Sequence, residues 1–258
     1  MRDLSGRIGM VDVALALALV AVGMVVSRVR RLDLEKDVAV ATVRSFVQLL
    51  AVGYALDFVF GGHDSLTWVG LAVMVGVASW TAGRRARAVP GAVWVALASI
   101  SVAAVGTLGV LLALGVIPAG PRAVLPLGSM VISNAMVTTG LVTTRLRDDL
   151  AAQRREVEAR LSLGQTAAEA GGPWLRQALR TGMLPIIDNT KVVGLVALPG
   201  AMTGMILAGA SPVAAIRLQL IVMYMLLGGN AFAALAAGEL AMRRLFTPAH
   251  QLARTVRR

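Results

Sequence analysis

Apolar residues along this chain fall into long runs separated by short, arginine-bearing connections. A helix needs about 20 predominantly apolar residues to cross the hydrocarbon core of a bilayer. The stretches 10–27, 38–58, 66–83, 92–117, 123–144, 190–209 and 214–240 meet that condition, the fifth and sixth being the most polar. They lack strict apolar–polar alternation and far exceed the roughly 10 residues of a barrel strand, so helices are predicted. The expected fold is an all-α polytopic membrane protein of about seven transmembrane helices. Residues 1–258 read as a single transmembrane domain, with a basic, moderately apolar segment at 145–189 between the fifth and sixth spans.

Composition supports this reading. Hydrophobic residues make up 57% of the chain and mean hydropathy is +0.75, too apolar for a soluble domain of this length. No cysteine is present, which excludes disulfides, thiolate metal sites and thiol redox chemistry. The net charge of +11 is distributed between the apolar runs rather than along one face, so nucleic acid is not an expected partner. The first apolar run shows no cleavage pattern and is long enough to remain as a span.

Charge also orients the chain. Arg28, Arg30, Arg31 and Lys36, then Arg84, Arg85 and Arg87, then seven arginines between 145 and 189, then those after 242 fall on alternate connections. The opposite connections receive Arg2, Arg7 and Arg122. The positive-inside rule then predicts an external N-terminus and a cytosolic C-terminus.

Within the cytosolic segment, Leu150, Val157 and Leu161 recur at offsets of seven and four and share one face of a helix over 149–164. Gly164 ends that helix, and Gly171-Gly172-Pro173 breaks the chain before a second helical stretch at 174–183. Periodicity alone allows an amphipathic helix lying on anionic lipid. Three further groups are candidates for a transport path. Ser133, Asn134 and Thr138 make the fifth span polar, either as interhelical glue or as cavity lining. Pro199, Gly200 and Gly204 give the sixth span a small-residue stripe beside a freed carbonyl, for tight packing, hinging, or both. Arg44 and Gln48 lie one turn apart in the second span, with Asp188 or Glu239 as candidate counter-ions to Arg44. Lys191 and Arg217 lie near span ends and are expected to snorkel.

Chemistry within the chain is sparse. The two histidines, His63 and His250, lie in a loop and the tail, and no His, Asp or Glu pair occupies a span at ligand spacing, so no metal site is assigned. Met130, Met136, Met202 and Met205 suit packing, or a soft ion, better than iron. No GxxxxGK[ST] loop and no nucleophile–base constellation occurs, so the chain binds no cofactor of its own and is not an enzyme by itself. A secondary transporter would need mid-span carboxylates, which are nearly lacking, and a mechanical transmitter would need a substantial external domain.

Longer motifs carry a resemblance. RSFVQLLAVGY (44–54), GSMVISNAMVTTGL (128–141), LSLGQTAAEA (161–170) and LPIIDNTKVVGLVALPGAMTGMILAGASPVAAIRLQLIVMYML (184–226) resemble the FetB (YbbM) family of ABC permeases over nearly the whole chain. Glu158, Ala159 and Gly164 match the spacing of the cytoplasmic Glu-Ala-Ala…Gly loop of ABC permeases, with Pro185 resembling its closing proline. Arg160 replaces the second alanine, and the interval to Pro185 is longer. The resemblance implies an inner (plasma) membrane permease driven by a separate P-loop ATPase (FetA-like) that uses ATP and Mg, in a two-plus-two complex. It implies iron export, with a small organic cargo such as a sugar nucleotide as the alternative suggested by plant relatives. Glu158, Ala159, Leu161, Leu163, Gly164 and Pro185 are then the expected coupling residues.

Overall fold

A computed structural model describes residues 9–61 and 66–253. Among these residues there are nine helices, and no strand beyond two isolated bridges. Backbone contacts divide the chain into two units, up to His63 and from Asp64 onward.

The first unit is a hairpin of α1 (Met10–Val29) and α2 (Glu35–Phe60). Its turn is closed by Ser27, whose carbonyl accepts from the Leu32 amide at 3.0 Å and whose hydroxyl accepts from the Leu34 amide at 3.3 Å. Apart from Ser27 the side chains of this unit are largely exposed, as expected for helices whose solvent is lipid rather than water. Arg44 and Gln48 are exposed within this unit.

The second unit contains α3 (Leu66–Arg85), α4 (Ala92–Ala113), α5 (Pro121–Ala152), α6 (Arg154–Ser162), α7 (Ala167–Val192), α8 (Gly200–Leu207) and α9 (Pro212–Leu245). Proline at the first helical position starts α5 and α9, where its missing N–H costs nothing, and Ser211 caps α9 through the Ala214 amide. α5 and α9 form the centre, each packing against α4 and α7. Along α9 the buried face reads Ala215, Gln219, Val222, Leu226, Gly229, Ala233, Ala237, Ala241 and Leu245, a three-to-four spacing of mostly small residues that lets backbones approach.

At 32 and 34 residues, α5 and α9 run about 48 and 51 Å, well beyond the roughly 30 Å of hydrocarbon. Their surplus turns project at the arginine-rich end of the unit. There Val142, Leu146 and Leu150 of α5, Val157 of α6, Trp174 and Ala178 of α7, and Leu245 of α9 join Phe246 and Leu252 in one apolar cluster.

Three expectations need correction. Among the described residues six helices are long and apolar enough to span a membrane: α1 to α5 and α9. The sixth expected span, 190–209, is not one helix. α7 stops at Val192, Gly194 takes a left-handed φ of 81°, a bridge joins Val193 to Ala197, and Pro199 then caps the eight-residue α8. Glycine supplies the positive φ, and proline lacks the N–H that would continue the ladder. Second, Gly171-Gly172-Pro173 does not break the chain, because α7 continues through it. A stripe of Ala170, Trp174, Ala178, Gly182 and Ile186 buries one face of α7 against α5 and α9, and that packing outweighs the bond lost at Pro173. Third, the helix expected at 149–164 is divided at Gln153, whose φ of −102° and ψ of 24° turn the chain from α5 into α6.

Candidate functional site: the α5–α6–α7 elbow and the broken helix

The elbow is built from α6 upward. Nine residues cannot hold a helix in water by propensity alone, so α6 depends on its anchors. Val157 is 0% exposed in the apolar cluster, and Leu161 packs against the cluster's edge. The Arg160 guanidinium lies 5.3 Å from the centre of the Trp174 ring of α7. Two interleaved ion pairs, each spanning one turn, Arg154–Glu158 at 2.8 Å and Arg160–Glu156 at 2.7 Å, run along the outer faces and contribute little on a surface.

Gly164 ends α6 at φ 88°: its amide donates to the Leu161 carbonyl, and the Gln165 amide donates to that of Arg160. This closure needs a left-handed residue, although none of the described residues lies within 4 Å of where a Cβ would stand. The obstacle to a side chain at 164 is therefore conformational, not steric. Leu163, just before it, is 83% exposed, an apolar tip at the end of an anchored helix. Ala159 is also exposed. Pro185 is not part of this group: it lies 18 residues into α7, about 27 Å along the axis from Ala167.

α7 opens with a reciprocal cap. Thr166 accepts from the Glu169 amide at 3.3 Å, and Glu169 accepts from the Thr166 amide and hydroxyl, each at 2.8 Å. The donated Thr166 amide, then its hydroxyl, hold the Glu169 carboxyl below the usual carboxylate range; slight desolvation opposes them and neighbouring His250 assists. A carboxyl depressed in the folded state stabilises above its unfolded value, and that stability is lost as pH falls through the folded value. Acidification below the ordinary carboxylate range should therefore fray the first turn of α7. Faster hydrogen exchange at residues 167–170 would report it, and Glu169→Gln should give part of the same loosening at neutral pH. Across from α6, a groove of about 480 Å³ is lined by Glu158, Leu161 and Ser162 on one side and by Ala249, His250, Gln251 and Leu252 on the other.

Deeper in the unit, the polar face of α5 divides in two. The Ser133 hydroxyl and the Asn134 amide both donate to the Met130 carbonyl, at 3.1 and 2.9 Å, and stay within their own helix. Thr138 is buried and donates to the side-chain oxygen of Asn230 in α9 at 2.7 Å, while the Asn230 side-chain amide donates to the Leu226 carbonyl. Asn230 is the residue that sequence reasoning passed over; its signal is a single amide within an otherwise apolar run. Thr138→Val should cost about 1 kcal/mol by leaving a buried acceptor unpaired, read as a lowered thermal midpoint in detergent.

Around the break, the Gly194 amide donates to the Ala197 carbonyl at 2.9 Å, and the Leu195 and Val196 amides both donate to that of Val192. Leu195 and Val196 are 89% and 82% exposed. Among the described residues of this unit, nothing lies within 4 Å of a Cβ added at Gly200 or Gly204 of α8, so the tight contact expected of this pair is not made there. Lys191 pairs with Asp188 at 3.3 Å, one turn away on the same helix. Among the described residues no group of three or more metal-ligating side chains occurs, and His63 lies outside those residues.

Comparison with known proteins places these features in a family. The model of the uncharacterised protein family UPF0014 matches residues 10–246. The chain is 42% identical to the UPF0014 membrane protein STAR2 of Oryza sativa over 95% of its own length and 86% of the relative. It is 41% identical to the protein ALUMINUM SENSITIVE 3 of Arabidopsis thaliana, over 95% and 90%. It is 36% identical to the probable iron export permease protein FetB of Escherichia coli, over 93% of each chain. No solved structure matches the chain.

Proposed function

The chain belongs to the UPF0014 family of membrane proteins, and on that premise we propose that it is the membrane-spanning permease subunit of an ABC transporter. A separate P-loop ATPase, FetA-like, binds ATP and Mg and drives it. The observation that carries this reading is Leu163, an exposed apolar tip on a short helix whose other face is locked into the cluster joining α5, α7 and α9. A bare lipid-surface helix needs no such anchor. A helix that must pass on a push does.

The arginine-rich end faces the cytosol by the positive-inside rule, in an inner-membrane setting. Glu158, Ala159, Leu161, Leu163 and Gly164 form the coupling surface, and α7 carries movement to the break at 193–199. Irregular backbone at membrane depth is tolerated only where protein covers it or water fills a cavity beside it. The break, with the open glycine face of α8 and with Ser133 and Asn134, accordingly lines a path between two copies of the chain in a two-plus-two complex. Iron is the favoured cargo by likeness to the Escherichia coli relative, and a small organic molecule such as a sugar nucleotide is the alternative.

ATP-driven uptake of labelled iron into inside-out vesicles tests this, with the chain present, with its ATPase present, and with both. Uptake that requires both is the expected result. ATPase activity in a co-purifying complex without iron uptake would move the cargo to the organic class, and an ATPase that fails to co-purify would return α6 to the lipid surface. Gly164→Val should uncouple hydrolysis from uptake while the chain remains in the membrane.

A further inference from the structure

We propose that the turn after α9, residues 246–253, is a clamp that fastens the coupling elbow to α9, and that His250 is its positioning residue. The inference rests on the permease reading above. It begins from the first turn of α7, whose leading amides have no partner within the helix. Thr166 and Glu169 satisfy each other, but the Ala167 amide is taken from 83 positions further along the chain: it donates to Nδ1 of His250 at 3.1 Å.

The turn that delivers this imidazole is fully specified. The Thr247 amide donates to the Gln251 carbonyl at 2.7 Å, and the Ala253 amide donates to the Leu245 carbonyl at 2.8 Å. The His250 amide donates to the Thr247 carbonyl, and the Gln251 amide to the Thr247 hydroxyl. His250 itself sits at φ 52°, a left-handed conformation that few residues with a Cβ adopt. Beyond it Leu252, 2% exposed, enters the same cluster as Val157 of α6, Trp174 of α7 and Leu245 of α9.

The turn therefore holds α7 by a hydrogen bond and α6 by apolar packing, and is continuous with α9 itself. Displacing α6 then moves α9 directly, and with it Asn230 and the helix on which α8 packs. Without the clamp, a push on α6 passes chiefly through its packing on α7 and α5.

The test uses the full chain in lipid nanodiscs, then in vesicles with the ATPase. His250→Gly deletes the acceptor while suiting the left-handed backbone. His250→Asn restores an acceptor at the position of Nδ1 and also tolerates that backbone. Hydrogen exchange over 166–170 and 246–253 should quicken about tenfold in His250→Gly and return to the wild-type rate in His250→Asn, because one exposed hydrogen bond and the ordering it imposes amount to about one factor of ten. In vesicles, transport per ATP hydrolysed should fall several-fold in the glycine variant and recover in the asparagine variant. The clamp is overturned if glycine leaves exchange unchanged, if exchange quickens while coupling holds, or if asparagine behaves like glycine. ATP hydrolysis without iron uptake in wild-type vesicles would move the cargo to the organic class, whereas an ATPase that fails to associate with the chain would sink the permease reading and the coupling role of the clamp; exchange alone would still decide whether His250 holds the turn.

Discussion

Replacing Val157 with aspartate should abolish ATP-driven transport while leaving the chain folded in the membrane. Val157 is fully enclosed by the apolar cluster at the arginine-rich end, where an unpaired carboxylate would cost several kcal/mol. The chain has a cheaper escape. α6 is held by Val157, the edge of Leu161 and the Arg160–Trp174 contact, and fully burying a valine is worth only about 1.5–3 kcal/mol. The helix should therefore lift off before the charge is buried, and the rest of the cluster, from Leu146 and Leu150 to Trp174 and Leu245, should stay closed. Thermal melting should fall by a few degrees, at roughly 2–4 °C per kcal/mol for a chain of this size. Loss of the whole protein from the membrane would mean that α6 is integral to the bundle. Undiminished transport would mean that coupling does not pass through it.

Gly83→Ala should be among the most damaging single methyl additions in the chain, costing about 3 kcal/mol or more. An added Cβ would stand 2.6 Å from the Val93 side chain, 2.7 Å from its Cα and 2.8 Å from its backbone nitrogen. Two of those atoms are main chain in the tight junction of α3 and α4, and no rotamer change moves them away. Gly171→Ala is the control. There the added carbon meets chiefly the terminal methyl of Met242, which can swing aside, so the cost should stay below about 1 kcal/mol. Thermal unfolding in detergent separates the two variants, and equal midpoints would show that the α3–α4 junction yields where its geometry says it cannot.

The glycines show why sequence reading reached so far and no further. Gly164 was legible as a helix end because a left-handed closing residue is a local demand, met by the chain on either side of it. Gly171 was misread as a breaker for the opposite reason: its role is to admit Met242 and Phe246 of the distant α9 end, and no local pattern records that. The break at 193–199 was half legible. Pro199 signalled an interruption, but the expected span was placed across it because its residues are apolar on both sides.

The clamp and the Thr138–Asn230 bond were not legible, since their partners lie 83 and 92 positions apart. Such pairings depend on which faces of α5, α7 and α9 meet, and hydropathy carries no information about rotation around a helix axis.

By itself, the sequence determined that the chain is helical, that it lives in a bilayer, and which end carries the arginines. Each follows from transferring one segment at a time between water and lipid, an energy that depends on composition and order alone. Only the tertiary structure decided that the sixth crossing is broken, that α5 and α9 outrun the membrane to make an elbow, and that the tail returns to cap α7. Those outcomes depend on close contact between residues far apart in the chain, where the fit of one helix surface against another outweighs the preference of either segment.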